Sequence, residues 1–183
     1  MKKTVLKYGL ISAGILEVLV AIVTPLNHNG TIPFEYGTTA GYTAMVLAFI
    51  MIFFGVRSYR DDVCGGTVSF GRAFQVGILI TLITCAAYVI TWEIYYYNWG
   101  QDFIPRYIAL MLENMRANGA TQAEIAAKAK EMADFAKLYE NPLVNIGVTF
   151  LEIFPVGLVM TLLAAAILRK KSTSSDAMAT AAA

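Results

Sequence analysis

The sequence predicts an all-α membrane protein with four transmembrane helices and an extracytoplasmic amphipathic helical hairpin between the third and the fourth. Composition is the first reason: 57% of the 183 residues are hydrophobic and 15% are charged, whereas soluble domains average about 45–50% and about 25%. The second reason is that the apolar residues stand in four long blocks. The near balance of 14 basic and 13 acidic residues gives no broad basic face, so no nucleic-acid partner is expected.

Each of the four apolar segments has the length of a membrane crossing, which takes about 20 residues for about 30 Å of hydrocarbon. Lipid offers the backbone no hydrogen-bond partners, so each segment is predicted to be helical. The first is interpreted as an uncleaved span rather than a signal peptide, because it contains Glu17 and no Ala-x-Ala site follows it. The predicted spans are residues 8–25, 38–56, 73–97 and 143–168 of one transmembrane domain (residues 1–171), and a disordered tail is predicted over residues 172–183.

Lysines and arginines near the span ends predict the orientation of the chain. The loop between the first two spans has none, whereas the N-terminus, the loop between spans two and three and the C-terminal end together carry nine. Because such cations concentrate on the cytoplasmic side, both termini and the loop of residues 57–72 are predicted to be cytoplasmic. The nine cations are Lys2, Lys3, Lys7, Arg57, Arg60, Arg72, Arg169, Lys170 and Lys171.

The long segment between spans three and four is predicted to form a helical hairpin over residues 102–140. Apolar side chains recur along one helical face from Phe103 through Tyr107 to Met115, and again from Ile125 to Tyr139. The two stripes are predicted to pack on each other and on the bilayer, and a docked protein partner is the alternative.

Local motifs set the ends of these two helices. Asn118-Gly119 is typical of a left-handed C-cap and ends the first helix, predicted over residues 102–118. Thr121-x-x-Glu124 is a capping box that begins the second helix, predicted over residues 121–139.

The predicted cytoplasmic loop is rich in charge. Arg57, Arg60 and Arg72 form a basic loop that could bind anionic lipid headgroups. The favoured alternative is that these arginines set the topology and pair locally with aspartates. Gly65-Gly66 is predicted to make a tight turn.

Three glutamates, Glu17, Glu93 and Glu152, lie inside the predicted spans. A rise of about 1.5 Å per residue places them roughly 12, 7 and 13 Å below the outer face, respectively. An ionised side chain at mid-bilayer costs at least about 2.5 kcal/mol, so they form a candidate intramembrane acidic cluster, with Glu17 and Glu152 predicted to face the bundle interior. The alternative is that each is a protonated packing element. Pro155, which cannot donate a backbone hydrogen bond, is predicted to break the fourth helix beside Glu152.

The order of these parts is recognisable. The inner loop reads "RSYRD…GG…SFGRAF", the third span ends in "YVITWEIYYY", and the fourth begins with "NPL…TFLEIFPVGL". This combination resembles the bacterial domain-of-unknown-function family 4199, common in Bacteroidota, from about residue 6 to residue 171. The resemblance implies this four-span architecture and the inner membrane of a Gram-negative cell, and it implies no activity.

No nucleophile–base pair or catalytic motif is found, and a lone histidine, His28, cannot build a zinc site. The chain is therefore expected not to be an enzyme and to need no metal or cofactor. The expected function is that of a multi-pass inner-membrane accessory or scaffold subunit. The alternative is a small proton- or cation-coupled transporter that uses the intramembrane glutamates as an oligomer. The expected partners are the lipid bilayer and a protein partner or a second copy of the chain.

Overall fold

The computed structural model describes residues 1–28 and 34–170, without the side chains of residues 27, 28, 34 and 35. Over this range the regular structure is helical apart from one isolated backbone bridge, which confirms the predicted all-α class. The predicted tail, residues 172–183, lies outside the described residues. The elements are α1 (Lys2–His28), α2 (Phe34–Ser58), a π-helical segment (Tyr59–Val63), α3 (Phe70–Asn98), α4 (Phe103–Ala117), α5 (Gln122–Tyr139) and α6 (Pro142–Leu168).

Four of the helices, α1, α2, α3 and α6, are long and apolar enough to cross a membrane. Each contains one predicted span and extends beyond it, most of all at the start of α1, which begins six residues earlier than predicted. The physical reason is that apolar composition marks only the hydrocarbon crossing, whereas helical hydrogen bonds continue into the headgroup region.

The chain divides into two compact units, each described by itself. Unit 1 contains α1, α2, the π-helical segment, α3 up to Tyr88 and α6 from Glu152 onward. Unit 2 runs from Val89 to Leu151 and contains the end of α3, the helices α4 and α5, and the start of α6. The prediction of one domain over residues 1–171 stays a prediction.

In unit 1, α1 and α2 pack side by side in opposite directions. The Ser12 hydroxyl donates a buried hydrogen bond of 2.9 Å to the carbonyl of Ala48. About one turn closer to the start of α1, a Cβ atom on Gly55 would lie 3.2 Å from Cβ of Tyr8 and would also strike Ile80 of α3. Small residues let backbones approach closely in membrane proteins, where helices cannot gain stability from the hydrophobic effect. The start of α1 therefore lies beside the end of α2.

The packing of α3 against α6 in unit 1 is reciprocal. A Cβ atom on Gly77 would lie 2.8 Å from Cγ2 of Thr161, and one on Gly157 would strike Cγ2 of Thr81. The hydroxyls of Thr81 and Thr161 lie 2.9 Å apart, and that of Thr81 also donates to the carbonyl of Gly157 at 3.3 Å. Two Gly-x-x-x-Thr segments thus face each other, and each threonine methyl fills the space that the opposite glycine leaves.

The segment that joins α2 to α3 is compact. Gly65 and Gly66 both adopt left-handed backbone angles, with φ of 62° and 89°, which confirms the predicted tight turn. Val68 then exchanges two backbone hydrogen bonds of 2.9 Å with Lys170, which follows α6. This bridge holds the α2–α3 connection against the end of the last helix of unit 1.

In unit 2, helices α4 and α5 occupy the residues for which the hairpin was predicted. Gly119 has φ of 80°, and Ala120 donates to the carbonyl of Met115 at 3.0 Å, so α4 ends in a Schellman motif. The predicted capping box of α5 is also present: the backbone N–H of Thr121 donates to the Glu124 carboxylate at 2.8 Å, and the Glu124 N–H donates to the Thr121 hydroxyl at 3.3 Å. The Schellman motif confirms the predicted end of α4, and the capping box confirms the predicted start of α5.

The capping box gives α5 a testable dependence on pH. Hydrogen bonds from the backbone and side chain of Thr121 hold the pKa of Glu124 below its ordinary value of 4.5. Because the pKa is lower in the folded state, the cap is complete above that value and is lost as the pH falls through the lowered pKa. We expect Thr121→Ala to raise the Glu124 pKa part of the way toward 4.5, because the variant loses the side-chain hydrogen bond and keeps the backbone one; the measurement is 13C NMR of the glutamate carboxyl groups.

A control variant separates charge from hydrogen bonding. Glu124→Gln keeps an acceptor for the Thr121 N–H but cannot titrate, so protection of the first α5 amides from hydrogen exchange should no longer change between pH 7 and pH 3. Unchanged titration of Glu124 in the Thr121→Ala variant would contradict this account of the cap.

Candidate functional site

The intramembrane glutamates differ in their surroundings. Glu17 of α1 is half-buried in unit 1, and Glu93 of α3 is half-buried in unit 2. One carboxylate oxygen of Glu93 is fully buried and accepts no hydrogen bond within the described part of the chain. The grouping of the three residues into one acidic cluster stays a hypothesis.

The structure corrects the interior placement predicted for Glu152, whose side chain is exposed on unit 1. The inward face of α6 is set by Ile153, Gly157 and Thr161, which are buried against neighbouring helices. Glu152 lies about 100° around the helix from Ile153, so it stands at the side of that face. The depth of Glu152 below the outer membrane face can be estimated by counting residues along the helix. The direction of its side chain, in contrast, depends on which face of α6 packs against α3.

Helix α6 continues through Pro155 without ending there. The proline ring is exposed, so it contacts no tightly packed neighbour that would force the chain apart. The effect of Pro155 is therefore limited to the backbone hydrogen bond that its missing N–H cannot make. The predicted break is a local weakening one turn from Glu152.

Unit 2 contains a polar and aromatic network that sequence reasoning missed. The indole N–H of Trp92 points at two acceptors, the hydroxyl oxygen of Tyr139 at 2.9 Å and the side-chain oxygen of Asn145 at 3.1 Å. The Thr149 hydroxyl donates to the same Asn145 oxygen at 3.2 Å. Tyr96 and Tyr139 pack edge to face, with ring centroids 5.4 Å apart. The network ties α3, α5 and α6 together inside one unit.

Asn145 is the centre of this network and is fully buried. Its side-chain oxygen accepts two hydrogen bonds, whereas its amide nitrogen finds no acceptor in the described residues. The sequence does contain a signal for this residue. Burying an asparagine side chain inside a membrane span costs free energy unless it forms hydrogen bonds, so Asn145 could have been predicted to have polar partners. No sequence pattern connects it with its partner Trp92, because 53 residues separate the two in sequence.

The hairpin buries only part of its predicted apolar stripes. Ile104 and Ile125 are buried, as the stripes predicted, and Ile104 joins a core with Tyr96 and Tyr139. Phe103 is 38% exposed and Leu110, about two turns further along α4, is 36% exposed. Tyr107 is likewise exposed, so the side of the stripe that contains Phe103 and Tyr107 is not covered as predicted. The apolar arc of α4 is wider than the surface that α5 and α3 cover.

The arginines of the basic loop fall into two groups. Arg60 forms a two-pronged ion pair with Asp61, with distances of 2.7 and 3.1 Å, and Arg57 lies 3.6 Å from the same carboxylate. The local Arg–Asp pairing favoured by the sequence is therefore present. Arg72, in the first turn of α3, is exposed, and its backbone N–H donates to the Ser69 hydroxyl oxygen at 3.4 Å.

The profile of the protein family of unknown function DUF4199 matches residues 7–170. The chain belongs to this family. The match covers nearly all of the described residues, including the four membrane-length helices and the hairpin of this DUF4199 protein. No curated protein and no solved structure matches the chain significantly.

In the part of this DUF4199 protein that the structure describes, no three His, Cys, Asp or Glu side chains lie close enough together to bind a metal ion. The side chain of His28, for which a ligand role was considered weak, lies outside the described residues. The contacts of Trp92, Tyr139 and Asn145 lie inside unit 2, where they join α3, α5 and α6 through hydrogen bonds and aromatic packing.

Proposed function

We propose that this chain is a non-enzymatic accessory or scaffold subunit of the bacterial inner membrane, and that the α4–α5 hairpin binds a protein partner. The observation that carries the proposal is the hairpin itself. It has defined caps at both helix ends facing the turn and a shared aromatic core, and it still leaves Phe103 and Leu110 exposed along α4. A segment that only linked two spans would need neither the caps nor the core, since most helix connections take about 2–8 residues.

Aromatic and large apolar side chains on a rigid element favour a protein interface. Such residues dominate the energetics of known interfaces, because they bury much area and lose little rotamer freedom. Phe103 is held from behind by Trp92, whose ring meets it edge to face at 5.1 Å. A partner that covers Phe103 and Leu110 would therefore contact a preorganised surface.

The test is photo-crosslinking in native membranes. A benzoylphenylalanine placed at Leu110 should yield one dominant crosslinked protein, because this position lies on the exposed apolar side of α4. The same probe at Ala109, which is exposed and lies about 100° away around the helix, should yield little of that product. Lipid adducts alone at Leu110, or the same mixture of proteins at both positions, would overturn the proposal.

A carrier function is the second candidate, and Glu152 favours it. This carboxylic acid is exposed on a membrane-length helix beside Leu151, which is also exposed. Exposure to hydrocarbon is costly for such a group, so a second copy of the chain would cover it in a proton- or cation-coupled oligomer with Glu17 and Glu93. Uptake or growth that is lost with Glu152→Gln and kept with Glu113→Gln, an exposed glutamate of α4, would favour the carrier over the scaffold.

The proposed orientation has both termini and residues 57–72 in the cytoplasm and the α4–α5 hairpin outside. Alkaline phosphatase is active only outside the cytoplasm, so a fusion after Asn118 should be active and one after Lys170 inactive. The support is the group of nine flanking cations on one side. The opposite activity pattern would reverse the orientation and place the hairpin in the cytoplasm.

A further inference from the structure

We propose that Arg72, Arg169 and Lys170 bind the phosphodiester of an acidic phospholipid at the end of unit 1 where the α2–α3 connection meets the end of α6. This inference is independent of the proposed partner, which concerns unit 2. It rests on three observations: a backbone bridge that brings these cations together, the zero net charge of residues 57–62, and a pair of phenylalanines next to Arg72.

The backbone bridge places the three cations on neighbouring backbone. Val68 and Lys170 exchange two hydrogen bonds of 2.9 Å, and Val68 is buried. Arg169 precedes Lys170, and Arg72 lies four residues after Val68, in the first turn of α3. All three side chains are exposed. Arg72 and Lys170 are far apart in the sequence and become neighbours only through the bridge between Val68 and Lys170.

The carboxylates of residues 57–72 do not neutralise this group. Asp61 is engaged by Arg60 and Arg57, and Asp62 accepts a hydrogen bond of 2.7 Å from the Ser58 hydroxyl. The charges on the α2 side of the connection therefore largely balance within themselves. The cations on the α3 and α6 side keep their positive charge for an outside anion.

The residues around Arg72 favour binding of both the phosphate group and the apolar part of a phospholipid. A guanidinium group binds phosphate through paired hydrogen bonds, and the N-terminal end of a long helix adds a favourable field for an anion. Phe70 is exposed two residues before Arg72, and its ring stacks on Phe74 with centroids 6.3 Å apart. Exposed phenylalanines beside basic residues insert into the boundary between headgroups and acyl chains in membrane-surface segments. A lipid would meet the cations with its phosphate and the phenylalanines with its glycerol and upper acyl chains.

The test is native mass spectrometry of the purified full-length chain in mild detergent, titrated with dioleoyl-phosphatidylglycerol or dioleoyl-phosphatidylcholine. Each basic residue near an anionic surface contributes about a factor of five to binding. The variant Arg72→Gln with Lys170→Gln should therefore bind phosphatidylglycerol roughly 30-fold more weakly than the natural chain. Both changes leave the backbone bridge intact, and circular dichroism checks that the helices remain.

The matched control removes two cations from the same end of unit 1. Lys2 and Lys3 are exposed at the start of α1, which lies beside the end of α2, and changing both to Gln should weaken phosphatidylglycerol binding by less than about threefold, since neither belongs to the group. A charge-keeping variant, Arg72→Lys with Lys170→Arg, should bind nearly as the natural chain does.

Three results would overturn the proposal. Equal weakening in the two Gln double variants would mean that lipid responds to overall charge instead of to this group. Equal affinity of the natural chain for the two lipids would mean that no acidic phospholipid is selected. Displacement of phosphatidylglycerol by millimolar inorganic phosphate would mean that the ligand is a soluble phosphate.

Discussion

Gly157→Ala should lower the stability of the chain toward thermal unfolding by about 1–3 kcal/mol, because the new methyl group overfills a packed interface. A Cβ atom at this position would strike Cγ2 of Thr81 and come within 2.8 Å of the Phe49 ring. Both side chains are buried, so neither has room to move away. The expected loss is measured as a lower melting temperature of the purified chain in detergent.

Gly14→Ala is the matched control, since Gly14 also lies in a membrane-length helix but has no atom within 4 Å of its Cβ position. Alanine favours a helix over glycine by up to about 1 kcal/mol, so this change should leave the melting temperature unchanged or raise it slightly. Equal melting temperatures for the Gly157 and Gly14 variants would show that α3 and α6 do not meet as described.

The second large effect is expected from Asn145→Leu in unit 2. The change removes the acceptor of the Thr149 hydroxyl and one of the two acceptors of the Trp92 indole. Leaving buried donors without partners costs about 1–3 kcal/mol each. We expect the hairpin to open more often, so that trypsin cleaves faster after Arg116, next to the turn between α4 and α5.

Asn98→Leu provides the comparison for this variant. Asn98 is exposed at the end of α3, and its side-chain amide donates to the carbonyl of Ile94 at 2.7 Å. An exposed substitution of this kind changes stability by about 0.5 kcal/mol or less. Cleavage after Arg116 at the same rate in both variants would show that the Asn145 network does not hold unit 2 closed.

Features that depend on near neighbours in sequence were predictable. The turn at Gly119 and the capping box of Thr121 and Glu124 involve residues at most three positions apart, so their motifs name both partners at once. The positions of the four apolar helices follow from composition in the same way, although each helix extends beyond its predicted span. The ion pair of Arg60 with Asp61 is a contact between adjacent residues and was also foreseen.

Features that depend on which helix faces meet were not predictable from one sequence. Asn145 and Trp92 stand 53 positions apart, and no local rule connects them. Glu152 was predicted to face the bundle interior because an ionisable group is costly in lipid, yet the register of α6 against α3 buries Ile153 and leaves Glu152 exposed. The bridge between Val68 and Lys170 likewise joins segments that only the completed fold brings together.

The reciprocal contacts between α3 and α6 have a consequence for how this family changes over time. Gly77 is matched to Thr161 and Gly157 to Thr81, so the two positions of each pair share one fixed volume. A larger residue inherited at position 77 would be harmless only in a lineage that had also acquired a smaller one at position 161. The hydroxyls of Thr81 and Thr161 also hydrogen-bond to each other, which links the two pairs, so all four positions should be inherited together as one unit.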